Sequence, residues 1–122
     1  MPNELLGITG TRDDLPGRVF YRTGSAADSN AMGKTPLRLV RWYYVALVRD
    51  RTQVSVYLDG RSELSVPAAA LPMTAVRAIV GGHPGNDSNF EGRVDEVALY
   101  DRALSATEVE AHFKASGRGE GN

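Results

Sequence analysis

The sequence predicts an all-β fold, an antiparallel β-sandwich with one short helix at its C-terminal end. Two observations carry that prediction. Before Leu104 the chain is a succession of short apolar runs divided by turn residues. After Leu104 a single helix is marked at both ends, so strands come first and the helix follows as one docked piece. With 122 residues, 42% of them hydrophobic, the chain is sized for one small domain with a core. That domain is expected over residues 1–116, with 117–122 as a flexible tail.

Residues 4–9 and 18–23 read as two strands around the turn-rich segment 11–17, and 24–36, rich in Ser, Ala, Asp, Asn and Gly, reads as a long loop. Residues 42–48 form the first strong strand. Trp42, Tyr44, Ala46 and Val48 occupy one face and Tyr43, Val45 and Leu47 the other, which predicts a central strand covered on both sides. Residues 49–52 turn the chain. Val54, Val56 and Leu58 then alternate with Gln53, Ser55 and Tyr57, one face buried and one wetter. Asp59-Gly60 is a hairpin signal, and Leu64 and Val66 continue the apolar phase on its far side. Residues 75–80 predict another strand, followed by a polar loop over 81–89.

Residues 94–100 are apolar enough for a strand, but Val94 and Val97 are three apart and cannot face one side of an unbroken one. Either both faces are buried or a bulge sits near Asp95. The helix is predicted over 106–116. Ser105 is its N-cap, Glu108 completes a capping box, Leu104 can staple onto Val109, Lys114 suits the last turn and Gly117 the left-handed position beyond it. A helix this short does not stand alone in water, so Val109 and Phe113 must dock on an apolar surface.

Lys and Arg total 14 against 15 Asp and Glu, and a net charge of -1 provides no counterion-release drive toward nucleic acid or an anionic membrane. No apolar run reaches the roughly 18 residues of a spanning helix, and Met-Pro-Asn-Glu opens the chain without the features of an export signal. Neither nucleic-acid binding nor membrane insertion is expected. The absence of cysteine excludes disulfides and thiolate metal sites.

The order Trp42-Tyr43-Tyr44-Val45-Ala46-Leu47-Val48, Val56-Tyr57-Leu58-Asp59-Gly60, Ile79-Val80-Gly81-Gly82 and the run from Phe90-Glu91-Gly92-Arg93-Val94-Asp95-Glu96 to Ser105 resembles the laminin-G-like, concanavalin A-like jelly-roll domains. The resemblance implies a recognition module of a larger extracellular or cell-envelope protein, binding a carbohydrate or protein ligand, often with calcium. It also implies further strands upstream, one of which would pair with residues 94–100. The domain is therefore expected to be incomplete at its N-terminal end, with an open edge at 94–100. That edge is filled either by residues 4–9 or by a second chain, and the second is expected, because Leu5, Leu6 and Ile8 belong beside the Val19 and Tyr21 strand.

Candidate chemistry is sparse. Asn86, Asp87, Ser88 and Asn89 place four oxygen donors in a row, and Asn86, Asp87 and Asn89 are the metal candidates, calcium being the ion such hard ligands suit. The same residues also make an ordinary turn, and both readings stay open. Asn86-Asp87-Ser88 also fits an N-glycosylation sequon. Asp95 and Glu96 are the only adjacent acid pair in a strand-like run, yet neighbours on a strand face opposite ways and cannot flank one scissile bond. No catalytic residues are assigned, and a buried Asp95 accepting backbone hydrogen bonds is the expected role. His83 sits in the polar loop and His112 on the helix, partly exposed, neither with a neighbouring acid at ligand spacing. Tyr57, on the wetter face, is the aromatic candidate for ligand contact, with His83, Asn86 and Asn89 beside it as rim candidates. The expected function is thus non-catalytic recognition of a glycan or protein. A structural or adhesive spacer and a fragment of a glycan-cleaving enzyme are the alternatives.

If the 81–89 loop binds calcium, millimolar calcium should raise the melting temperature by mass action and Asp87→Ala should remove the rise. Calorimetric titration without heat, together with an unchanged melting temperature, contradicts the calcium reading.

Overall fold

Period-two alternation decides which side chains of each strand can meet in a core, and that rule orders most of this molecule. A computed structural model of the chain describes residues 4–10, 16–23, 31–68 and 92–117. β1 (Glu4–Ile8) and β2 (Val19–Thr23) run antiparallel with Glu4 opposite Thr23 and Ile8 opposite Val19, as the sequence predicts. Thr9 prolongs the pairing through its own backbone and through its hydroxyl, which accepts from the Arg18 amide at 3.0 Å. β3 (Ala31–Met32) lies on the other side of β2, opposite Tyr21 and Phe20. The 24–36 segment was expected to be loop throughout. A two-residue strand carries no periodic signal, and only the exposed edge of β2 makes it one.

The second sheet is a meander of β4 (Val45–Arg49), β5 (Gln53–Leu58) and β6 (Arg61–Pro67). The Asp50 carboxylate tightens the first turn by accepting from the amides of Thr52 and Gln53, each at 2.8 Å. Those two amide bonds hold the Asp50 carboxyl below the usual range. At the second turn Asp59 and Gly60 both have positive φ, 51° and 81°, the geometry of the two-residue turn that matches strand twist. β5, not β4, is the middle strand of this sheet, and β4 begins three residues later than predicted, at Val45. Tyr43 and Leu47 pack on the core, while Tyr44, facing the other way, meets the helix. On the second face the described contact is that of Tyr44 with Phe113 of the C-terminal helix.

The core lies between the sheets, where Val19 and Tyr21 meet Val54, Val56 and Leu58, with Leu37, Leu64 and Val66 around them. Two polar clasps cross it. The Tyr21 hydroxyl donates to Glu4 Oε1 at 2.8 Å, and Arg49 of the facing sheet lies 3.5 Å from the same oxygen. Burial, then the Glu4 bond, pushes the Tyr21 hydroxyl up to about 12, so it stays a donor at any physiological pH. The second clasp arises from a register shift between Val56 and Tyr57, where Ser62 pairs with Tyr57 and Leu64 with Val56, leaving Glu63 as the extra residue. Glu63 is consequently buried, and it accepts from the Thr35 amide at 2.6 Å and the Thr35 hydroxyl at 2.9 Å. Gly33 makes room for it. A Cβ there would stand 2.8 Å from Glu63 Oε2 and 3.0 Å from the Val19 carbonyl.

The helix α1 (Ala106–Ala115) has the predicted capping box, and Gly117 takes the left-handed position at φ 71°. Val109 is fully buried, and Phe113 reaches Gly60 and Tyr44. Residues 92–100, by contrast, are exposed and form no strand, although one was predicted over 94–100. Glu96 has φ 54°, which breaks an extended run, and a strand needs a neighbour's amides and carbonyls to hold it. None pairs with this segment among the described residues, and β1 is committed to β2 as expected. The expected burial of Asp95 is also corrected: it is exposed, although it does accept a backbone bond, from the Glu96 amide at 2.9 Å. The predicted strand at 75–80 and loop at 81–89 lie outside the described residues.

Glu63→Ala strands the Thr35 amide and should cost about 2 to 3 kcal/mol in urea denaturation, with Glu63→Gln costing about half as much because one acceptor survives. Losses below about 0.5 kcal/mol for both would show that the clasp does not hold the sheets together.

Candidate functional site

The end of the molecule built by the 59–60 turn and the helix gathers more chemistry than any strand face. The Asp59 carboxylate accepts from the Tyr44 amide at 2.9 Å and pairs with Arg41 at 3.2 Å, while the Asp59 amide donates to the Tyr44 carbonyl at 2.8 Å. Tyr44 is thereby fixed to the turn. Its ring meets Phe113 at a centroid distance of 6.1 Å, and burial, with the Tyr100 hydroxyl as a lesser cause, pushes its own hydroxyl upward. Phe113 can sit this low because residue 60 is glycine: a Cβ at that position would stand 3.0 Å from Phe113 Cδ2.

A second ring pair, Tyr100 with His112, joins the helix to the segment before it. Their rings are 5.6 Å apart and tilted by 39°, with the Tyr100 hydroxyl 3.4 Å from His112 Nδ1. The loop that brings Tyr100 here is held by Arg102, whose guanidinium donates to both oxygens of Glu108 at 3.0 and 2.5 Å. Glu108 also closes the capping box, accepting from the Ser105 amide at 2.9 Å while its own amide donates to the Ser105 hydroxyl at 3.1 Å. The Arg102 bonds, followed by the Ser105 amide, hold the Glu108 carboxyl down to about 2. One carboxylate therefore fixes the helix start and the approach to it. Two ring pairs thus meet near the helix, Tyr44 with Phe113 and Tyr100 with His112, and the Tyr100 hydroxyl lies near enough to act on that of Tyr44.

The sequence-predicted ligand residues do not assemble here. Tyr57 is half-buried on β5, on the face away from the core, with the Ser55 and Ser65 hydroxyls 3.1 Å apart on the same strand pair. His83, Asn86, Asp87 and Asn89 lie outside the described residues. Among the described residues no three His, Cys, Asp or Glu side chains are grouped to hold a metal ion, and no helix is long and apolar enough to cross a membrane. His112 is partly exposed, as expected, but the sequence did not join it to Tyr100. The available signal was the short, helix-capping link between them, which returns Tyr100 toward the last turn of the helix. Two arginines near the strand ends are engaged: Arg41 covers the Tyr43 ring at 4.5 Å besides pairing with Asp59, and Arg49 pairs with Glu4.

Asp95 and Glu96 are both exposed on a segment outside the sheets, and Glu4 is the one carboxylate in the clasp with Tyr21 and Arg49. Neither place presents two acids across a cleft, the arrangement a glycosidase needs.

Comparison with known proteins gives two positive results. The family profile described as the concanavalin A-like lectin/glucanases superfamily matches residues 6–110. Among solved structures, an S-layer domain-containing protein of Clostridium thermocellum ATCC 27405, residues 221–444, is similar with a TM-score of 0.58 at 18% identity. The alignment covers 93% of this chain and 62% of that one, so the chain spans about three fifths of its neighbour's length, and the likeness concerns the fold. No curated protein matches.

Proposed function

The chain belongs to the concanavalin A-like lectin/glucanases superfamily, and we propose that it is a non-catalytic module that recognises a carbohydrate, or failing that a protein, within an extracellular or cell-envelope protein. The observation that carries this reading is the Tyr100 and His112 pair at the helix end, where an exposed phenol ring and an imidazole stand together with hydrogen-bonding edges. Tyrosine and histidine present an apolar body and a polar tip, which is what a ligand with alternating CH and OH surfaces requires. The envelope setting draws support from the S-layer domain-containing protein whose fold it shares. Calcium at Asn86, Asp87 and Asn89 remains part of the proposal on the donor chemistry of that loop, and pairing of two chains through residues 94–100 on the exposed Val94, Val97 and Leu99.

A glycan array probed with and without calcium should retain the chain on at least one glycan class, while reducing-sugar assays over a broad polysaccharide panel should show no release. Hydrolysis that disappears in Glu96→Gln would replace the recognition reading with an enzymatic one.

A further inference from the structure

We propose that Tyr100, His112 and Tyr44 form the ligand subsite, and that it takes an uncharged pyranose ring stacked on Tyr100. This rests on the recognition reading and names its site and ligand class. Tyr100 is 55% exposed, which leaves over half of the residue open to a ligand, whereas the Tyr44 ring is half-buried against Phe113 and offers its hydroxyl near that of Tyr100. His112 stands 5.6 Å from Tyr100 at a 39° tilt, which makes a shallow angled wall beside that ring rather than a flat stack. A pyranose has one face of axial CH groups and an equatorial rim of hydroxyls, and the two halves of this surface answer both. The CH face lies on the phenol ring. The hydroxyl rim meets the Tyr100 hydroxyl, which donates or accepts, and the imidazole, whose second nitrogen Nε2 adds another polar edge.

Neutrality follows from what surrounds the rings. Arg102 is engaged by both oxygens of Glu108, Lys114 by Glu110 at 3.1 Å, and Arg41 by Asp59 at 3.2 Å. These three cations are each matched by a carboxylate, and the whole chain carries a net charge of only -1. A sulfated or uronic-acid ligand would have to compete with those carboxylates for Arg102, Lys114 and Arg41, whereas a neutral sugar would not. The site is also held in place before any ligand arrives, because Glu108 ties Arg102, and with it the turn after Tyr100, to the helix cap. Preorganisation of this kind reduces the ordering cost that a loop-borne aromatic otherwise adds to binding.

The test is calorimetric titration of the intact chain with neutral hexasaccharides of β-1,4-glucan, β-1,4-xylan and β-1,4-mannan, and with a heparin hexasaccharide as the anionic probe. At least one neutral probe should bind, with an affinity insensitive to salt. Tyr100→Ala should weaken it by about tenfold or more, Tyr100→Phe by no more than a few fold, and His112→Gln by an intermediate amount. Melting temperatures of the three variants should stay near that of the parent, since the Tyr100 ring is exposed and Glu108 still anchors the loop. Neutral binding unchanged in Tyr100→Ala and His112→Gln but lost in Tyr57→Ala would move the ligand to the outer sheet face, overturning this subsite and leaving the recognition reading intact. Binding of heparin alone would overturn the neutral-sugar assignment. Failure of every oligosaccharide to bind would overturn both this inference and the glycan half of the function it rests on.

Discussion

The turn at Asp59 and Gly60 brings together parts of the chain that have no other reason to meet. A two-residue turn with both φ angles positive fixes the register of β5 against β6, and it leaves a side-chain-free surface at residue 60. Phe113 occupies that surface at a distance that a Cβ would contest. The same turn holds the Tyr44 backbone through both the carboxylate and the amide of Asp59, which sets the Tyr44 ring under Phe113. Remove the turn and the helix loses its seat and Tyr44 its anchor.

Sheet-to-sheet contact depends on a second constraint a few residues further along. A regular β6 would direct Glu63 away from the core, and the bulge at Val56 and Tyr57 turns it inward instead. A buried carboxylate is costly unless its oxygens are occupied, and here Thr35 occupies one through its amide and one through its hydroxyl. The Glu4, Tyr21 and Arg49 clasp satisfies the same requirement at another point of the interface. Both clasps sit in the scaffold, and neither presents a second carboxylate to the first. The molecule thus spends its internal acids on joining its sheets and keeps its aromatic and polar surface for the helix end.

What the sequence disclosed was whatever depends on near neighbours. Ser105, Glu108, Lys114 and Gly117 lie within one short helix and its flanks, and the helix they mark forms over Ala106–Ala115. Alternation at Val54, Val56 and Leu58 and the Asp59-Gly60 pair are equally local, and both are found as read. The features that escaped depend on distant partners. β3 exists because β2 has an edge to offer, Glu63 faces inward because of a pairing slip that no period reveals, and Tyr100 joins His112 through a loop whose course is set by Arg102 and Glu108. Residues 94–100 illustrate the converse. Their apolar content reads as a strand, but strand structure is a property of a pair, and in this chain the segment stands exposed with Glu96 in a left-handed conformation. Of the ligand residues read from the sequence, Tyr57 is placed and half-buried, and the others lie beyond what the structure describes.

The dependence of the helix on residue 60 is open to direct measurement by a double-mutant cycle in urea, comparing the parent with Gly60→Ala, Phe113→Ala and the pair together. Gly60→Ala alone carries both the left-handed strain of an alanine, about 1 to 2 kcal/mol, and the crowding of its methyl against Phe113. Phe113→Ala alone costs about 3 kcal/mol through the emptied contact. In the double variant the crowding disappears, so it should be more stable than the sum of the two losses by about 1 kcal/mol. Additivity within about 0.3 kcal/mol, with the helix signal intact in Gly60→Ala, would mean that Phe113 does not rest on the turn and that the helix end is organised by something else.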